Sequence, residues 1–353
     1  MAASGRGRAG VPIAALGAAA LGILRANGRG RVLAVFRRSF YVAFADGVVC
    51  VGPLELGLGP LAALYAADTA SPWPDGGLDV DAEVACEGET FTVGRDLRFD
   101  LARAWTWRPA DAPRHSPSTL RVGLQLLGAA TERRSPGGLG ALLPALCGGA
   151  RPPHPVGEDP VVRAATPTIG ALRDWLSAAF RGASSAPPAV DGLIGLGAGL
   201  TPSGDDFLGG VMIALHRVGR ADLAGALAGR VTAAATQGTS VISAAYLRCA
   251  AAGQGSAVLF DALDCVLAGE GARLDARLDA IAEIGHTSGW DSLAGSIAVC
   301  RALAHEGPPI ARSGTPDGGP LRYRIVHTAK LWAAGERPKL EQQVLEGDPG
   351  LSI

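Results

Sequence analysis

The sequence predicts an α+β protein, with a β-rich N-terminal domain followed by a mainly α-helical C-terminal domain. Three observations carry that reading. Short apolar or alternating runs fill residues 31–108, with Asp-Gly and Glu-Gly pairs between them, where hairpin turns belong. From about residue 168 to 304, apolar residues recur at i, i+3 and i+4, the period of a helix with one buried face. Most of those later runs end at glycine, a frequent helix terminator. On these grounds the chain divides into an N-terminal segment (1–30), a β-rich domain (31–117), a helical domain (118–306) and a C-terminal tail (307–353).

Taken in order, residues 12–25 read as a short helix. Strands are expected in "RVLAVF", "SFYVAFADGVVCVG", "LDVDAEVACEGETFTVG" and "RAWTWRP". Asp46-Gly47 and Glu87-Gly88 mark the turns, and Trp105 and Trp107 alternate as one face of a strand does. "STLRVGLQLLGAA" reads as a helix, while "RRSPGG" and "GGARPPHPVGEDP" read as surface loops. A run of helices follows, beginning at "TIGALRDWLSAAF" with Thr168 as its N-cap. It continues through "SGDDFLGGVMIALHRVG", "ADLAGALAGRVTAAAT", "TSVISAAYLRCAAAG", "SAVLFDALDCVLAG" and "LDARLDAIAEIG" to "SGWDSLAGSIAVCRALAH". The tail after Gly307 reads as peripheral, with one helix around residues 327–335.

Composition narrows the function classes. The chain has 353 residues, 48% hydrophobic and 18% charged, with a net charge of −1 and both signs intermixed. That balance gives no electrostatic case for nucleic acid or an anionic membrane surface as partner. No charge-free apolar run reaches the roughly 18 residues that a membrane-spanning helix requires. The six cysteines form no CxxC pair and have no zinc-like histidine spacing. Reduced, buried thiols and a cytoplasmic location are therefore expected. Lysine occurs only at Lys330 and Lys339, which removes a P-loop lysine and a Schiff-base lysine from the first 329 residues.

One feature points to chemistry. "GLTPSGDDFLGG" (199–210) and "HTSGWDSLAG" (286–295) share Ser-Gly-x-Asp-x-Leu-x-Gly, pairing Ser203 with Ser288, Gly204 with Gly289, Asp206 with Asp291 and Gly210 with Gly295. In the first, Gly197 and Gly199 permit unusual dihedrals, Thr201 and Pro202 start a helix, and Ser203, Gly204, Asp205 and Asp206 fall in its first turn. Free N–H groups at such a start suit a phosphate or carboxylate, although first-turn acids also suit the helix dipole with no ligand present. In the second, His286 and Trp290 add an ionisable ring and a stacking face beside Thr287, Ser288, Gly289 and Asp291. Between them, Thr239 and Ser243 either cap a helix or lend hydroxyls to the same pocket. The expectation is two helix starts facing one anion pocket, with His286, Asp206 and Asp291 as catalytic groups.

At "GLGAGLTPSGDDFLGG", "GTSVISAAYLRCAAAG" and "GHTSGWDSLAG", in this order and spacing, the chain resembles the AllH family, most strongly over residues 190–300. The resemblance implies a subunit of a multi-component carbamoyltransferase of the oxamate carbamoyltransferase kind, in allantoin and purine breakdown. It implies FdrA-like and AllG-like companion subunits, and carbamoyl exchange among oxalurate, oxamate, phosphate and carbamoyl phosphate. It carries no catalytic residues over. The Ser-Thr-Arg-Thr phosphate loop of aspartate and ornithine carbamoyltransferases is not evident here. Carbamoyl transfer passes through a tetrahedral adduct that needs oxyanion stabilisation, for which the N–H groups at Ser203–Gly204 and Ser288–Gly289 are the candidates, with His286 moving the amide proton.

Two other classes fit the same residues. One is a non-catalytic ligand-binding or scaffold subunit. The other is a metal-dependent amide hydrolase using Asp205, Asp206, Asp291 and His286. No cofactor is evident; these acids with one histidine suit Mg²⁺ or Mn²⁺, although no fixed spacing demands a metal.

Overall fold

The computed structural model describes residues 10–66, 77–148 and 159–305. The expected tail helix at 327–335, the basic start and most of the loop "GGARPPHPVGEDP" lie outside these residues. The β-rich part consists of β1 (Val11–Gly17), helix α1 (Ala18–Ala26), β2 (Arg29–Val35), β3 (Phe40–Phe44), β4 (Gly47–Pro53), β5 (Ala62–Tyr65), β6 (Glu83–Glu87), β7 (Thr90–Val93), β8 (Leu97–Asp100) and β9 (Trp105–Trp107). The sheet order is β5-β4-β3-β2-β6-β7-β8-β1-β9, and β1 also pairs with β5. Eight strands therefore close into a barrel, with β9 attached outside the ring.

The barrel interior is filled by side chains, as small barrels require. Phe91 stacks on Phe99 at a centroid separation of 4.7 Å, and Phe40, Val42 and Val32 are fully buried beside them. β3 alternates buried and half-buried residues, the pattern that made it legible. β1 does not alternate, because barrel and helices cover it from both sides. The helix expected over 12–25 is accordingly corrected: its first part is β1, and only Ala18–Ala26 is helical. β1 joins the ring by pairing Val11 with Phe99 and Ile13 with Tyr65, and its far end pairs Ala15 with Trp105. The hairpin turns fall one residue off the expected positions. Phe44 pairs with Gly47, leaving Ala45-Asp46 as the turn, and Glu87 pairs with Thr90, leaving Gly88-Glu89 with Gly88 at φ +58°.

The helical part contains α2 (Pro117–Arg134), a 3-10 turn (Gly138–Leu142), α3 (Leu143–Leu146), α4 (Pro160–Phe180), α5 (Ser203–Arg217), α6 (Ala221–Gly238), α7 (Val241–Ala251), α8 (Ala257–Ala268), α9 (Leu274–Ala282) and α10 (Ser288–His305). α4 begins earlier than expected. Asp159, not Thr168, caps it by accepting from the Val161 and Val162 N–H groups, and Pro167 is carried inside the helix. Pro160 at the first helical position is the start that Pro167 obscured in the sequence. α5 is buried on almost every side and packs along α10 at the centre of the helical core.

Two connections fix barrel to helices. Val48 and Leu61 of the barrel pack on Ile242, Ala245 and Cys249 of α7. The buried Arg217 guanidinium, 2.8 Å from Asp264, also donates to the carbonyls of Ala110 and Asp111 and so pins the segment between the two parts. Among the described residues, no helix is long and apolar enough to cross a membrane.

Candidate functional site

The two rhyming segments meet. α5 and α10 cross so closely that a Cβ on Gly210 would lie 1.9 Å from the Ser292 carbonyl, and one on Gly295 would lie 1.9 Å from the Phe207 carbonyl. Phe207 and Ser292 are themselves matched positions, so each helix presents to the other what it receives. Nearly two turns earlier the shared glycines are also tightly packed, but on different neighbours: a Cβ on Gly204 would strike the Leu193 carbonyl, and one on Gly289 the Ile281 carbonyl. The glycines of the motif are thus packing positions in a pair related by an approximate two-fold.

The crossing joins the helix starts. Thr201 Oγ1 lies 3.0 Å from Ser288 Oγ, and Ser203 Oγ lies 3.5 Å from Thr287 Oγ1. Pro202, not Thr201, occupies the N-cap position of α5, which releases the Thr201 hydroxyl to reach the other helix. The matched acids sit within this ring of hydroxyls. Ser288 and Thr201 lie beside Asp206, and Thr287 and Ser203 lie beside Asp291, so each acid is flanked by the matched serine of the opposite helix. Burial pushes the Asp206 carboxyl well above the usual carboxylate range; the Ser288 hydroxyl opposes the rise and the Asp291 charge adds to it. Burial also raises Asp291, against the hydroxyls of Thr287 and Ser203 and the N–H groups of Leu139 and Gly140. Oδ1 of Asp291 accepts from the Leu139 N–H at 2.6 Å, whereas Oδ2 of each acid is buried with no hydrogen-bond partner.

Asp205 behaves differently. Its Oδ1 accepts from the Gly195 N–H at 2.9 Å, and its Oδ2 accepts from the hydroxyls of Ser243, at 2.7 Å, and Thr239. The three donors hold the glycine loop and the start of α7 together, so Thr239 and Ser243 serve Asp205. The cap of α7 is Ser240, which accepts from the Ser243 N–H and donates to the Leu200 carbonyl. Gly195, Gly197 and Gly199 all have positive φ, between 70° and 117°, and a Cβ on Gly197 would lie 2.8 Å from the Ser203 nitrogen.

Other candidates lie apart from the acids. His286 is exposed and makes no hydrogen bond to a described residue. Trp290 is 7% exposed, packed in the helical core against Gly140, and offers no stacking face. The N–H groups of Gly204 and Gly289 already donate to the carbonyls of Leu196 and Ile284, which leaves neither for an oxyanion. Two surface clefts, of about 240 and 140 Å³, are lined by none of the candidate site residues. The helix starts converge on a polar joint at which Thr201, Asp206, Thr287 and Ser288 are half-buried. No group of three or more His, Cys, Asp and Glu side chains suited to a metal occurs among the described residues.

Sequence reasoning missed two contributors. The turn Gly138–Leu142 supplies the N–H that anchors Asp291 across 152 residues, and Gly138 at φ +58° is the only hint of it in "SPGGLG". Tyr41 of β3 shares hydrogen bonds with Tyr246 of α7 and with Cys50, and Asp206 is near enough to add to the rise in its pKa that burial causes. The barrel wall thus stands near the site, a proximity that no local pattern announces.

Closed barrel, helical core and acid-bearing joint define a two-part protein whose distinctive chemistry lies in its helical part. Residues 193–300, which span both motifs, match the family model described as oxamate carbamoyltransferase subunit AllH. No curated protein and no solved structure matches the chain.

Proposed function

We propose that the chain is a subunit of a carbamoyltransferase complex of the oxamate carbamoyltransferase kind, and that the joint between α5 and α10 is its contribution to the active site. The observation that supports this most directly is the pair of acids, Asp206 and Asp291, each with one buried, unpartnered oxygen, brought together by the two motifs within the AllH-matched region. Attack of phosphate on the carbamoyl carbon of oxalurate releases oxamate, whose departing nitrogen must gain a proton; the reverse reaction removes one. A carboxyl raised by burial holds a proton more readily than a free one, so Asp206 takes the role that the sequence suggested for His286. Asp291, anchored by Leu139, adds to that rise through its charge.

The site is incomplete in this chain alone. The Gly204 and Gly289 N–H groups are engaged, and neither surface cleft is lined by the candidate site residues. Oxyanion stabilisation and most of the substrate pocket come from the FdrA-like or AllG-like companions. The test is carbamoyl phosphate formation from oxalurate and phosphate, measured with the chain alone and with both companions. Turnover only in the assembled set is the expected result. Inactivity of that set with every carbamoyl acceptor tried would overturn the reading.

A further inference from the structure

The joint presents an electrostatic imbalance. Two carboxylates sit near enough for the charge of Asp291 to act on Asp206, and one oxygen of each is buried without a partner. Asp291 is 0% exposed, so water does not compensate it from the surface. The groups that act most strongly on the two acids are hydroxyls, backbone N–H groups and other carboxylates; no cationic side chain is among them. Asp205 and Asp264, by contrast, are matched by three donors and by Arg217. An anion placed directly between Asp206 and Asp291 would deepen the imbalance.

We propose that Asp206 and Asp291 together bind one divalent cation of the Mg²⁺ or Mn²⁺ class through their unpartnered Oδ2 atoms. The approximate two-fold makes the two acids counterparts about one axis, a relation that lets both face a single ion. The surroundings are oxygen only, with the hydroxyls of Thr201, Ser203, Thr287 and Ser288 beside the acids, and no nitrogen or sulfur ligand that would favour zinc. Magnesium is commonly held by one or two carboxylates, keeping other positions for water and for oxygens of the substrate. Insofar as the proposal bears on catalysis, it rests on the function proposed above and alters one role in it: with the ion bound, Asp206 is an ionised ligand and not the proton carrier, and the ion reverses the sign of the joint, so a phosphate or carboxylate can approach two acids.

The experiment uses the full chain, stripped with chelator and titrated with Mn²⁺ by electron paramagnetic resonance, with melting followed in parallel with and without Mg²⁺ or Mn²⁺. One bound Mn²⁺ per chain and a raised Tm are expected. Asp206→Asn and Asp291→Asn should each melt higher than the parent without metal, because an uncompensated buried acid is removed. Each should lose both bound Mn²⁺ and the metal-induced shift. Asp222→Asn, at an exposed ion pair with Arg220, should keep both. Absence of Mn²⁺ binding at millimolar concentration, or binding that survives both substitutions at the joint, overturns the proposal. Higher melting of the two variants with no metal effect in the parent also overturns it, and assigns the pair to a shared proton. No turnover is measured, so this result and the transferase assay fail independently.

Discussion

α5 and α10 begin with nearly the same residues and are held by different means. At the position after the shared glycine, α5 has Asp205 and α10 has Trp290. Asp205 secures its helix start through three hydrogen bonds to the glycine loop and α7, while Trp290 secures its own by packing against Gly140. One anchor is polar and the other apolar, yet both leave the next residue, Asp206 or Asp291, at the joint. The difference separates the parts of the motif: 205 and 290 stabilise, whereas 206 and 291 are the positions where like residues keep a costly burial in common.

The sharpest way to break the comparison is to exchange the shared acid. Asp206→Asn should lower turnover of the assembled complex by roughly 10²–10⁴, the usual share of a positioned acid or base, while its circular dichroism spectrum stays that of the parent. A complex that turns over normally with this substitution would reduce Asp206 to a partner of the helix dipole.

The anchors should respond in the opposite sense, in stability. Trp290→Ala removes a buried indole at an expected cost of about 3–5 kcal/mol. Asp205→Ala orphans the Gly195 N–H and the hydroxyls of Thr239 and Ser243, at about 1–3 kcal/mol for each donor that water cannot reach. Denaturant unfolding monitored by tryptophan fluorescence and circular dichroism measures both. If either variant unfolds at the parent midpoint, its anchoring role is wrong.

The smallest effect is expected at His286. It is exposed beside α10 and has no hydrogen bond to a described residue, so His286→Ala should change turnover of the complex by less than about tenfold. A loss as large as that of Asp206→Asn would return the proton transfer to the histidine.

Much of this was legible in the sequence. The strands β2, β3, β4 and β7 and the helices α5 to α10 follow from their apolar runs, period and terminators. The kinship of 199–210 and 286–295 was legible as well, since close helix crossing demands glycine at fixed places. β1 was not: it is covered on both sides, and a run of small apolar residues without alternation reads equally as helix. Nor was the division of labour between Asp205 and Asp206. Adjacent residues on a helix point about 100° apart, and only the fold decides which one meets Thr239 and Ser243 and which meets Ser288. Leu139 and Tyr41 enter from distant parts of the chain, beyond the reach of spacing.

The seat of α7 has one consequence for how the protein can be divided. Ile242, Ala245 and Cys249 rest on the barrel, while Ser240 and Ser243, at the start of the same helix, grip Leu200 and Asp205. The barrel is therefore a footing for the motif loop. A fragment beginning at residue 117 would keep every residue of the joint and lose the surface against which its loop is braced.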